Sequence, residues 1–373
     1  MDIQVARFRE VLDLLKPAVA RKPAIKSLGF VMLKDGQAIA TDLETMVMQS
    51  MPEADLTVLV PIADVTKVLQ YTPGGEMLNI KAKRGEVTLS WPDGSATFPV
   101  EDTEDFPPVP EFEAEVEESL DTDVLIPAMV MVLPYAATEA TRPVLQAVNL
   151  MLGDPVQVAA GDGYRMADQA LALAYPKNIN VLIPSHSVSV LDHLWKKTPR
   201  TPPPAKDLIP VIMAKKHADV AYDGKQGLRF RFNKHTSAIV KLVDGNFPDW
   251  RKLIPKDDPI VKVQLLGAEL ELAVRKIMGV ARESKTDMAR LAFEDGKAVV
   301  SAKADGQEVE TSFKTYSCEG EPIKMGLSVP YLLSYLSGKG GIVTISWTGG
   351  TAPVAFLSRN DPRVLIMPMN LGA

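Results

Sequence analysis

The chain has 373 residues and a mass of 40.6 kDa, more than one hydrophobic core usually holds, so two or three domains are expected. With 46% hydrophobic and 24% charged residues and a mean hydropathy of +0.03, its composition excludes a largely disordered chain. The formal charge of −6 and an isoelectric point of about 5.4 argue, as whole-chain averages, against a nucleic-acid binder.

In chain order, the apolar spacing of Val5 to Leu15 predicts a first helix. A strand, turn and strand from Phe30 to Asp42 follow, and then Val60-Pro61 before the helical periodicity of Val65, Val68 and Leu69. Alternation at Val87-Thr88-Leu89-Ser90-Trp91 marks a further strand. Glu101 to Glu118, acidic and rich in proline, reads as an extended connector. The same order returns with a helix at Leu125 to Tyr135, strands from Val148 to Asp162, and Ile183-Pro184 before Val188, Leu191 and Leu194. Lys196 to Lys206 is a polyproline-like insertion. The third round has a helix at Leu270 to Val280, strands from Arg290 to Asp305, Val329-Pro330 before Leu332, Leu333 and Leu336, and a closing strand at Val343 to Trp347. Proline suits a first helical turn, where its missing N–H would be unpaired anyway.

Two markers give nearly one register: aspartates 42, 162 and 305 are spaced 120 and 143, and prolines 61, 184 and 330 are spaced 123 and 146. The fold class expected is therefore α+β, in three copies of one unit spanning 1–120, 121–255 and 256–373. Split that way, the charge is −10, +4 and 0. A total of −6 then averages surfaces of opposite sign.

Catalytic signatures are lacking. The sequence has no GxxxxGK[ST] phosphate loop, HExxH or CxxC, and the single Cys318 allows no intrachain disulfide. His186 and His193 are seven apart without a carboxylate or cysteine at ligand spacing, and read as solvent-facing helix positions. Ser185-His186-Ser187 lacks the G-x-S-x-G elbow of a hydrolase. No enzyme activity, metal or cofactor is expected. No apolar run reaches the roughly 18–20 residues of a membrane helix, and a cytoplasmic protein without membrane contact is expected. Basic side chains recur on or beside the predicted helices: Arg7, Arg21 and Lys22, then Lys196 and Lys197, then Arg275 and Arg282. A basic surface gathered from several helices suits phosphate contact without base reading.

In order along the chain stand Ala40-Thr41-Asp42-Leu43-Glu44, Phe106-Pro107, Thr141-Arg142-Pro143-Val144-Leu145, Gly161 to Ala167, Leu242 to Trp250, and Met367-Pro368-Met369. With this set the sequence resembles the bacterial DNA polymerase III β subunit, the sliding-clamp family, over nearly the whole chain. The resemblance implies three clamp domains per chain and a head-to-tail homodimer. That dimer forms a ring with helices lining the hole and sheets outside, enclosing double-stranded DNA without sequence preference. It also implies tethering of a replicative polymerase and docking of clamp-loader and repair proteins through short peptides. An alternative is a clamp-fold scaffold or regulator with altered partner binding.

Carried over by motif, the DNA contacts fall on Arg21 and Lys22, with Arg7, Lys196, Lys197, Arg275 and Arg282. The peptide pocket falls on Leu145, Gly163, Tyr164, Arg165, Met166, Pro248, Lys252 and Leu253, and on Ser328, Tyr331, Val354, Leu365, Ile366, Met367, Pro368 and Met369. The dimer contact joins Phe98 and Val100 of one copy to Val280 and Ala281 of the other. Tyr164 stands where the family commonly has histidine, Asn370 where it has arginine, and Gly372-Ala373 extend past the usual end.

Overall fold

The computed structural model describes residues 1–20, 23, 25–139, 141–199, 215–284, 286–359 and 361–371. Arg21, Lys22, Gly372, Ala373 and the proline-rich stretch beyond Pro199 lie outside the described residues. Six α-helices occur among the described residues: α1 (Val5–Leu15), α2 (Ile62–Leu69), α3 (Thr122–Val132), α4 (Ser185–Lys197), α5 (Gly267–Glu283) and α6 (Val329–Leu336). Each third of the chain runs strand, helix, three strands, strand, helix, three strands, and the last third adds a strand at Ser317–Gly320.

The helices follow the apolar spacing. Helix α1 buries Val5, Phe8, Val11, Leu12 and Leu15, and α5 buries Leu270, Ala273, Val274, Ile277 and Ala281. Pro61 and Pro184 sit at the N-caps of α2 and α4, and Pro330 lies in the first turn of α6. Helix α3 contains Pro127 and passes into a 3₁₀ turn at Leu133–Tyr135, so the expected helix from Leu125 to Tyr135 is composite.

The chain divides into two compact units. The first comprises 1–130, 152–156 and 172–243; the second comprises 131–151, 157–171 and 244–373. In the first unit, Asp2–Gln4, Met77–Lys83, Glu86–Trp91 and Gly94–Pro99 form a four-stranded sheet in that order. An eight-stranded sheet runs Val58–Val60, Val31–Lys34, Gln37–Thr41, Thr45–Ser50, Thr236–Val240, Gly227–Arg231, His217–Asp223, Val116–Asp121. Its central join pairs Gln49 with Thr236, whose hydroxyl donates to the Gln49 side chain at 2.7 Å in a buried site.

The second unit repeats this plan. Eight of its strands follow the order Ala147–Leu152, Gln157–Gly161, Arg165–Ala170, Arg363–Ile366, Val354–Ser358, Ile342–Trp347, Val261–Leu266, Ser317–Gly320. Gln307–Lys314, Lys297–Ala304, Met288–Glu294 and Ile323–Ser328 form the other sheet, against which α5 packs. Here too the join carries a polar lock in register: Arg363 donates to Asp168 at 2.9 and 2.7 Å, with Asp168 buried. A bidentate pair fixes orientation as well as distance.

Two expectations change. The acidic stretch is not a free connector throughout, because Val116–Asp121 enters the eight-stranded sheet. There Glu117 pairs with Arg229 and Arg231, and Glu115 with Lys177 at 2.7 Å. The three marker aspartates also differ in chemistry. Asp42 and Asp162 each accept two backbone N–H bonds across a tight turn between strands. Asp305 instead occupies a two-residue hairpin turn with Gly306, both at positive φ (46° and 81°).

Candidate functional site

The second unit holds an apolar cavity of about 300 Å³ beside the join between Arg165–Ala170 and Arg363–Ile366. Its floor is core: Met166, Trp250 and Leu365 are buried and pack with Ala159 and Ala355. Met166 and Leu365 are register partners across the join, so the same strand pairing that closes the sheet shapes the pocket. Phe247, Pro248, Leu253, Pro353 and Met367 complete its apolar lining.

One wall is the turn Asp162-Gly163-Tyr164-Arg165. The Asp162 carboxylate accepts from the N–H groups of Tyr164 (2.9 Å) and Arg165 (3.0 Å). Gly163 takes φ +96°, and a Cβ there would stand 3.0 Å from Arg142 Nη1. The positive φ is what favours glycine here, since the Arg142 side chain could move aside. Tyr164 is 62% exposed at the rim, and its carbonyl accepts from the Met367 N–H at 2.8 Å.

Arg165 lines the cavity but is committed elsewhere. Its Nε donates to Asp162 Oδ2 at 3.0 Å, Nη1 to Ser334 Oγ at 2.9 Å, and Nη2 to the Pro134 carbonyl at 2.9 Å. Its guanidinium carbon lies 4.6 Å from the Tyr331 ring centre and 5.2 Å from that of Tyr135. Burial pushes the Tyr135 hydroxyl up to about 12 against the opposing pull of Arg165.

Of the sixteen residues expected in a pocket, the cavity gathers Leu145, Gly163, Tyr164, Arg165, Met166, Pro248, Leu253, Leu365 and Met367. Val354 and Ile366 are fully buried register partners and offer no surface to a ligand, a correction that follows from strand alternation. Lys252, Ser328, Tyr331, Pro368 and Met369 lie outside the lining. Lys252 pairs with Asp249 at 3.3 Å, Tyr331 covers Arg165, and the Met369 N–H bonds the Gly326 carbonyl. Sequence reasoning missed Arg142, Gly161, Phe247, Trp250 and Pro353 as lining. The first four stand inside the motif blocks that carried the resemblance, which was the signal available.

Four solved or curated relatives bear on this geometry. Residues 119–249 match the family model described as DNA polymerase III beta subunit, central domain. The structure aligns with the DNA polymerase III subunit beta of Pseudomonas aeruginosa at a TM-score of 0.85 and 19% identity, covering 100% of both chains. It aligns with the DNA polymerase III beta chain of Streptococcus pneumoniae TIGR4 at 0.84 and 20% identity, over 99% of each. This chain has the sliding-clamp fold. A beta sliding clamp of Bacillus subtilis is 25% identical over 277 residues, 72% of this chain and 68% of that protein. A beta sliding clamp of Caulobacter vibrioides is 24% identical over 394 aligned positions, 100% of this chain and 97% of its own. The resemblance to the DNA polymerase III β subunits read from the sequence therefore holds along the full chain.

Four of the candidate basic residues carry carboxylate partners. Arg7 lies 3.7 Å from Glu10, Lys196 2.6 Å from Asp192, Arg275 2.6 Å from Glu271, and Lys197 2.5 Å from Asp13. Arg7 and Lys197 line one cavity of the first unit, of about 430 Å³, while Arg282 is exposed near the end of α5. His186 is exposed and His193 half-buried, as solvent-facing helix positions should be, and each has a partner: His186 Nε2 contacts the Pro17 carbonyl (3.0 Å) and Asp42 (3.2 Å), and His193 Nε2 the Asp13 carbonyl (2.9 Å). Burial, then the Asp42 carboxylate, lifts the Glu44 carboxyl above its ordinary range, with His186 opposing. Among the described residues no group of three or more His, Cys, Asp or Glu side chains is placed to hold a metal ion, and no helix is long and apolar enough to cross a membrane.

The candidate dimer residues need one correction. Ala281 is fully buried, so its side chain is not open to a partner, while Val100 is half-buried against the cluster of Met32, Ile39, Met46, Leu59 and Phe106. Phe98 and Val280 are half-buried. Phe98 belongs to Gly94–Pro99, an edge strand of its sheet, and Gln307–Lys314 is an edge strand of the corresponding sheet in the second unit.

Proposed function

We propose that this chain is a DNA sliding clamp that tethers a replicative polymerase and has no catalytic step of its own. The reading rests on likeness along the whole length to proteins named as beta sliding clamps, on a fold with the same element order in each third. The working form is a head-to-tail ring of two copies, each contributing three repeats near 1–120, 121–255 and 256–373. Double-stranded DNA passes through it, held by sequence-blind phosphate contacts from Arg7, Lys196, Lys197, Arg275 and Arg282, together with Arg21 and Lys22. Phosphate would exchange for the carboxylate partners of the first, second, third and fourth of these, so binding should fall steeply with salt. The cavity of the second unit receives apolar peptide segments of polymerase, clamp-loader and repair proteins.

Topology gives the test. Loaded with a clamp loader onto nicked circular DNA, the protein should stay bound through gel filtration at high salt and leave once the circle is cut. In solution its mass should be close to twice 40.6 kDa by light scattering. Equal retention on circular and linear DNA would exclude a topological tether, and a stable monomer at micromolar concentration would exclude the two-copy ring.

A further inference from the structure

The sequence holds seven Asp-Gly dipeptides. In such a pair the aspartate carboxyl can lose water to the next backbone nitrogen, and glycine carries no side chain to hinder the attack. Ring closure needs a rotation about the aspartate Cα–C bond that brings that nitrogen over Cγ. It also needs a carboxyl that is not held as its anion.

The fold blocks six of the seven. At Asp35-Gly36, Asp295-Gly296 and Asp305-Gly306 both residues take positive φ in two-residue hairpin turns, so the rotation would break the adjoining ladder. Gly94 pairs with Trp91, whose indole stands 3.0 Å from where a Cβ would lie, and alternation from Phe98 turns its N–H into the sheet. Asp162 accepts from the N–H groups of Tyr164 and Arg165 and from the Arg165 guanidinium. Asp223 accepts from the N–H groups of Glu113, Lys225 and Gln226, and the Gly224 N–H is bound by Glu115 at 3.1 Å. Hydrogen bonds from N–H groups hold a carboxyl as its anion, and those of Lys225 lead in lowering Asp223 below its ordinary range.

Asp244-Gly245 has none of these restraints. Both residues are exposed and lie outside every helix, strand and hydrogen-bonded turn. Among the described residues, neither the Asp244 carboxylate nor the Gly245 N–H has a hydrogen-bond partner.

We propose that Asp244 is a site of spontaneous covalent modification, where the chain closes to a succinimide and reopens in part as isoaspartate. The Gly245 nitrogen gives up its proton and bonds to Asp244 Cγ, and one carboxyl oxygen leaves as water. Water then adds back at either ring carbonyl. Addition at Cγ restores aspartate; addition at the old main-chain carbonyl breaks its bond to nitrogen and leaves the backbone running through Cγ. Water is the only co-reactant. The added backbone atom stands three residues before Phe247, which packs on the cluster of Met166, Trp250 and Leu365, so the modification loosens that packing.

The test incubates the folded full chain near neutral pH in water enriched in oxygen-18, followed by tryptic digestion and mass spectrometry. Each closure and reopening adds one labelled oxygen, a gain of about 2 Da. The peptide Leu242–Arg251 should gain label severalfold faster than the peptides carrying the other six pairs, and fragmentation should place isoaspartate at 244. In urea the seven rates should converge, because the blocks belong to the fold. The variant is made at Asp244, since a Cβ on Gly245 would stand 2.6 Å from Val144 Cγ1. Asp244→Glu should stop labelling at this position, and Asp244→Asn should speed ring closure with loss of ammonia in place of water. Equal labelling of all seven pairs in the folded chain, faster labelling at another pair, or a spread of rates that persists in urea overturns the proposal.

Discussion

Arg165→Ala should destabilise the second unit by about 3–5 kcal/mol, the range for removing one partner of a buried ion pair. The Arg165 and Asp162 side chains are only 13% and 15% exposed, so the remaining carboxylate would be left with little access to water. The same substitution removes donors to Ser334 and to the Pro134 carbonyl, and leaves the Tyr135 and Tyr331 rings facing a void. It also loosens the turn that carries Gly163 and Tyr164, so peptide affinity should fall together with stability. Urea unfolding followed by tryptophan fluorescence measures this, because Trp250 and Trp347 are both buried in the second unit. Arg165→Lys should recover less than half of the loss, since an ammonium cannot serve three acceptors lying in the plane of a fork. A change below about 1 kcal/mol, the value typical of exposed pairs, would show that the side chain is solvated and dispensable.

Arg165 also marks where sequence reasoning stops. The helices were legible because their apolar residues recur at helical spacing, as in Val5, Phe8, Val11, Leu12 and Leu15. The prolines 61, 184 and 330 were legible because their chemistry suits helix starts. The strand pairing of Met166 with Leu365 was not, because nothing local to either strand names a partner about two hundred residues away. Without that pairing, the committed state of Arg165 and the burial of Val354 and Ile366 are invisible. The motif blocks named the right neighbourhood and could not say which face of each strand looks into the cavity. Asp305 shows the converse: position within the repeat held while the turn chemistry changed. The acidic stretch before residue 120 misled through composition, since Glu115 and Glu117 find their cations only after the chain returns with Lys177, Arg229 and Arg231.

In the two-copy ring proposed above, Thr97→Pro should leave a monomer of 40.6 kDa without unfolding the chain. The Val100 N–H bonds the Gly85 carbonyl at 3.0 Å, and Val87 pairs with Phe98. By antiparallel alternation the N–H of Phe98 then points into its own sheet, and that of Thr97 points to the open edge. Proline at Thr97 therefore deletes a donor offered to a partner and spares the internal ladder. On the other edge, Ala304 pairs with Gln307 across a two-residue turn, which aims the N–H of Ser312 outward by the same alternation. Ser312→Pro should likewise give a monomer. Of the remaining edges of these two sheets, Asp2–Gln4 has three residues, and Ile323–Ser328 is bridged by Met369 at Gly326. That leaves Gly94–Pro99 and Gln307–Lys314 as the longer open templates. Mixing the two variants decides the symmetry. A head-to-tail contact leaves one intact edge on each, so the mixture should form a heterodimer held by a single junction, while either variant alone stays monomeric. A mixture that remains monomeric would mean that these edges do not pair with each other, and persistent dimers of the single variants would place the interface elsewhere.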